Sequence, residues 1–135
     1  MRSRPLKNSR EKGPTALTAG RGILLTAAWL LSVLAVVWGS LTPLAAPVLD
    51  APQADKVLHF FAYGWLALLS ILAQGVGHRG IAAAASMFLL GVALEVAQQF
   101  APYRSCSLGD VAADGLGVLA GTAIGYIFPW SETRK

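Results

Sequence analysis

Four long apolar runs fill most of this 135-residue chain, and their length decides what it can fold into. They extend from about Gly22 to Leu41, Val57 to Val76, Ile81 to Gln98 and Val111 to Trp130. A helix needs roughly 20 residues to cross about 30 Å of hydrocarbon, and each run is near that length, the third being the shortest. The apolar residues lie in blocks instead of the alternating faces of a soluble helix. Only 13% of the residues are charged and 55% are hydrophobic, whereas a soluble domain carries about 25% charge. The fold predicted is all-α, a four-helix transmembrane bundle over residues 21–130. A basic tail over 1–20 precedes it and a short tail over 131–135 follows. The first tail has no apolar face to bury and is expected to be disordered. Gly77-His78-Arg79-Gly80 is expected to be a tight turn, and links this short make consecutive helices antiparallel neighbours.

Charge sets the expected orientation. Six of the eleven Lys and Arg residues lie at the start: Arg2, Arg4, Lys7, Arg10, Lys12 and Arg21. With that end inside, Arg79, Arg134 and Lys135 join them there, and only Lys56 and Arg104 fall outside. The positive-inside rule therefore places both termini in the cytoplasm of a multi-pass protein of the cytoplasmic membrane. Trp38, Tyr126, Phe128 and Trp130 lie near run ends, where such rings prefer the interface. The net charge of +4 does not imply a nucleic-acid partner, because no basic stripe is interleaved with aromatics. A cleaved signal peptide competes for the first run, with small residues in Leu44-Ala45-Ala46-Pro47. Signal cores are about 7–15 residues, shorter than this run. Cys106 is the only cysteine, so the chain has no internal disulfide.

The polar residues collect at one end. Asp50, Asp55, Glu95, Asp110 and Asp114 all fall toward the outer side, with Lys56, His59, Gln98, Gln99 and Arg104. Antiparallel helices bring those ends together into one cluster. Asp55, His59 and Tyr63 are spaced four apart and share a face of the second helix. Glu95 and Gln98 share a face of the third. Asp110, Asp114, Gly117, Gly121 and Gly125 line one side of the fourth, and Asp110 suits an N-terminal cap. The glycines form a small-xxx-small face that admits another helix closely, within the chain or in a homo-oligomer. A carboxylate at the bilayer centre costs about 2.5–3.5 kcal/mol, so Glu95 and Asp114 should face the bundle interior. His59 could hydrogen-bond either, and Arg104 could fold back onto either.

The ordered set Ser40-Leu41-Thr42-Pro43, Asp55-Lys56, His59-Phe60, Tyr63, Glu95, Gln98, Phe100, Pro102, Arg104, Ser107, Asp110 and Gly117 resembles the VanZ-like membrane proteins. The resemblance covers about residues 30–128. It implies a small polytopic protein of the bacterial cell envelope, related to a teicoplanin-resistance protein and so linked to antibiotic resistance. The family's molecular activity is not established, so the resemblance implies a topology and a site but no reaction. The family usually has Asn where this chain has Asp114, and the extra carboxylate changes the charge of the site.

Three functions suit such a cluster. It can be helix glue that fixes packing. It can bind an amphiphile in the outer leaflet, a cell-wall lipid precursor or a glycopeptide, through Asp55, Lys56, His59, Tyr63, Glu95, Gln98, Arg104, Asp110 and Asp114. It can also be a membrane-embedded hydrolase or transferase, with His59, Glu95 and Asp114 as acid–base candidates. No activated nucleophile is recognisable around Ser105, Cys106 and Ser107. Asp55-x-x-x-His59, with Glu95 and Asp110, offers nitrogen and oxygen ligands, but one His without a Cys pair assigns no metal. No cofactor is expected, and the expected partners are membrane lipids.

Overall fold

Residues 16–42, 53–100 and 107–128 are described in this computed structural model. Four helices account for almost all of them: α1 (Ala16–Leu41), α2 (Ala54–Gln74), α3 (His78–Gln98) and α4 (Leu108–Ile127). Each apolar run has become one helix, and each helix is long and apolar enough to cross a membrane. Ile23, Leu24, Leu31, Leu34, Phe61, Leu89 and Leu119 lie on outward surfaces. Lipid solvates such surfaces where water would not, and the helix satisfies its own backbone there. The chain is thus built as a multi-pass membrane protein.

The helix ends follow local chemistry. α1 begins at Ala16, inside the segment expected to be an unstructured tail. α2 stops at Gly75, whose φ of 84° suits glycine and whose N–H donates to the Ile71 carbonyl at 2.8 Å. The α2–α3 link is therefore Gly75-Val76-Gly77, and His78, Arg79 and Gly80 belong to α3 and not to the expected turn. α4 is capped by Ser107, whose hydroxyl accepts from the Gly109 N–H at 3.1 Å. Asp110, expected as the cap, sits in the first turn instead.

Consecutive helices pack on one another as expected, but the most extensive contact joins α2 to α4. These two run parallel: Phe60 and Gly64 meet Gly117, Gly64 meets Gly121, and Ile71 meets Gly125. A Cβ on Gly117 would strike the Phe60 carbonyl, and one on Gly121 would strike the Gly64 carbonyl. The glycine face is thus filled by α2 of the same chain, and all three glycines are buried there. Around it lies a core of Tyr63, Leu66, Ala67, Ile71, Ala84, Met87 and Val118. Helix α1 lies outside, on α2 and α3 and away from α4. It is tied to α2 where the Trp65 indole N–H donates to Ser32 Oγ at 3.2 Å.

Candidate functional site

The close approach of α2 and α4 carries upward into a cluster of polar side chains. From Gly64 toward the start of α2 lie Tyr63, His59 and Lys56, and from Gly117 toward the start of α4 lie Asp114 and Asp110. α3 brings Glu95 against both from the third side. The backbone contact at the glycines is what allows side chains on two different helices to meet head on.

His59 is the hub. Its Nδ1 lies 2.8 Å from Asp114 Oδ1. A carboxylate only accepts, so Nδ1–H donates in this bond and Nε2 is left as an acceptor. That nitrogen faces Glu95, with Oε1 3.8 Å away. The imidazole stacks on Tyr63 one turn further along, with ring centroids 6.1 Å apart and planes within 16°. Glu95 Oε2 in turn accepts from the Ser107 N–H at 3.3 Å, which couples α3 to the start of α4.

Burial separates the acids. Glu95 is 2% exposed, Asp110 5% and Asp114 0%. Two of their oxygens, Asp110 Oδ1 and Asp114 Oδ2, have no hydrogen-bond partner among the described residues. Lys56 Nζ stands 3.4 Å from Asp110 Oδ1 and 3.6 Å from Asp55 Oδ2, bridging a buried acid to an exposed one. One ligand atom from each of His59, Glu95 and Asp110 lies within 4.8 Å of the others.

Several expectations find their place in this geometry. His59, Glu95, Asp110 and Asp114 come together, with Lys56 at the edge and Tyr63 beneath. Asp55 shares the helix side of His59 but remains exposed, and among the described residues it reaches only Lys56. Gln98 is buried, yet its amide donates to the Ser40 carbonyl at 2.8 Å and ties α3 to α1. Of the two acids expected as hydrogen-bond partners for His59, Asp114 takes the bond. Arg104, proposed as a ligand for Glu95 or Asp114, lies outside the described residues, as do Asp50, Cys106 and Trp130.

The roles of two residues escaped the sequence reading. Ser107 supplies both the cap of α4 and the N–H on Glu95. Gly91 leaves room for the site: a Cβ there would lie 2.5 Å from Asp114 Oδ2 and 3.0 Å from Tyr63 Cε1. The available signal was its position one turn before Glu95, a side-chain-free residue on the same face as an intramembrane acid.

A family model described as VanZ/LLP1 matches residues 8–129. No curated protein and no solved structure matches the chain.

Proposed function

The chain belongs to the VanZ/LLP1 family, and from that premise we propose that its polar end faces outward from the bacterial cytoplasmic membrane and binds the head group of an amphiphile. The observation that carries this is the gathering of three buried carboxylates from two helices around one histidine of a third. Helix packing alone does not call for it. An intramembrane carboxylate costs about 2.5–3.5 kcal/mol at the bilayer centre, while an interhelical polar contact returns about 0.6 kcal/mol on average. A network kept only as glue would satisfy its own members, yet among the described residues Asp114 Oδ2 has no hydrogen-bond partner and Asp110 Oδ1 has only the Lys56 ammonium at 3.4 Å.

In this role Lys56 stands at the rim, where an ammonium meets a phosphate or carboxylate. His59 and Glu95 lie deeper and order polar groups below it. The apolar outer faces of the helices accompany the lipid chain. The head groups that suit these donors are those of a lipid-linked cell-wall precursor or of a glycopeptide, which links the site to antibiotic resistance. The inward position of both termini, from the bias of cations, supports an outward-facing site.

The His59–Asp114 bond favours a second reading, hydrolysis at the head group. A carboxylate that fixes the tautomer and orientation of a histidine leaves the opposite nitrogen able to take a proton from water.

The test is mass spectrometry of extractable amphiphiles on protein purified from native membranes. The reading expects a phosphate- or peptide-bearing amphiphile on the native chain and on Trp65→Phe. It expects occupancy lower by about tenfold or more in Glu95→Gln, a loss of at least 1.4 kcal/mol of binding. Bare native protein, or a fully occupied Glu95→Gln, would contradict it. Turnover of the bound species, lost in His59→Gln, would select hydrolysis.

A further inference from the structure

The charge of the site sets a problem for any anionic head group. Glu95, Asp110 and Asp114 are buried together, and the cationic groups beside them among the described residues are Lys56 and, if protonated, His59. Asp55 adds a fourth carboxylate at the rim. A phosphate entering there would meet more negative than positive charge, and low dielectric strengthens that repulsion.

We propose that His59, Glu95 and Asp110 hold a divalent transition-metal cation, with Asp114 as the residue that orients His59. Three observations meet here. First, the donor atoms converge from α2, α3 and α4, all within 4.8 Å of one another. Metal bonds of about 2.0–2.2 Å place ligand atoms up to roughly 4.4 Å apart, so a small inward movement closes the set. Second, Asp110 is 5% exposed and its Oδ1 has no hydrogen-bond partner among the described residues, although it sits in this cluster with Lys56 Nζ at 3.4 Å. The ammonium balances its charge from the rim, and a metal ion among the three ligands would give this buried oxygen the close contact that it lacks. Third, the Asp114–His59 bond is the arrangement that metal-binding histidines use. The carboxylate takes Nδ1–H, fixes the ring and leaves Nε2 as the donor to the metal.

The ligand chemistry narrows the ion. One imidazole and two carboxylates suit Zn²⁺ or Mn²⁺ better than Ca²⁺ or Mg²⁺, which take mostly oxygen ligands. Three protein ligands also leave coordination positions for water or a phosphate oxygen. This deepens the head-group reading and rests on it for purpose, since the cation is what makes an acid-rich pocket attractive to an anion. Of the four nitrogen and oxygen ligands that the sequence offered, His59, Glu95 and Asp110 converge, while Asp55 stays on the rim against Lys56.

The experiment uses the full chain in detergent, stripped with a chelator and dialysed against Zn²⁺ or Mn²⁺. Bound metal is read by elemental analysis, and amphiphile retention is read on the same samples. The native chain should take up about one ion. Asp110→Asn, which keeps the shape of the side chain, and His59→Gln should each weaken binding by more than tenfold. Asp114→Ala, removing an orienting partner, should weaken it by about 10–100-fold, and Trp65→Phe should leave it unchanged. No stoichiometric metal on folded native protein overturns the proposal, whatever the variants do. So does Asp110→Asn binding at native affinity. Metal uptake without any amphiphile would sustain the cation site and defeat the head-group reading. An amphiphile held by chain that takes up no metal would do the reverse.

Discussion

The parallel contact between α2 and α4 has two halves that differ in what fills them. In one half, Gly121 meets the Gly64 backbone and Gly125 meets the Ile71 side chain. In the other, the same two helices carry His59 against Asp114 and Lys56 against Asp110. The first half is joined by close backbone approach, which only small residues permit. The second depends on that approach, because His59 and Asp114 sit on different helices and meet only if the backbones do. One half therefore answers to shape and the other to charge, and substitutions should separate them.

The largest effect is expected where shape is tightest. A side chain at Gly121 meets the Gly64 carbonyl, which cannot swing aside. Gly121→Leu should cost more than about 3 kcal/mol, the upper end for overpacking. Loss of folded monomer in detergent titration would show it, and native-like stability would break the account of the seam. In the polar half, Asp114→Ala should cost about 1–2 kcal/mol, near the largest measured intramembrane hydrogen-bond couplings. The same titration checks it, and Asp114→Asn should restore most of the loss, because an amide oxygen still accepts from His59. Ser107→Ala removes the cap of α4 and should cost about 1 kcal/mol, read as faster amide exchange at the first turn of that helix. Trp65→Phe touches neither half. It deletes only the bond to Ser32 and should cost about 0.6 kcal/mol.

Much of this was legible in the residues. The four runs became the four helices because run length and apolarity are local properties. Shared faces were legible too: Asp110, Asp114, Gly117, Gly121 and Gly125 are all buried on α4, as their spacing requires. The partner of the glycine face was not, since small residues announce a close approach without saying to whom. The parallel α2–α4 contact is therefore a property of the assembled bundle. Exposure within a face was equally hidden. Asp55 and His59 are one turn apart, yet Asp55 stands at the helix start and looks outward. The cap of α4 was expected at Asp110, but the chain caps the helix three residues earlier at Ser107, whose hydroxyl suits the position equally well. Gln98 shared a face with Glu95 but found the Ser40 carbonyl of α1, a partner that helix spacing cannot foresee.

The central claim is that the polar half is a site and not a continuation of the packing seam. Glu95→Gln tests it most directly, because the side chain keeps its shape and loses its charge. Unfolding stability and amphiphile occupancy should be measured on the same purified sample. The account predicts stability within about 1 kcal/mol of the native chain with occupancy lowered at least about tenfold. A variant that unfolds in proportion to the occupancy it loses, or that stays fully occupied, would contradict it.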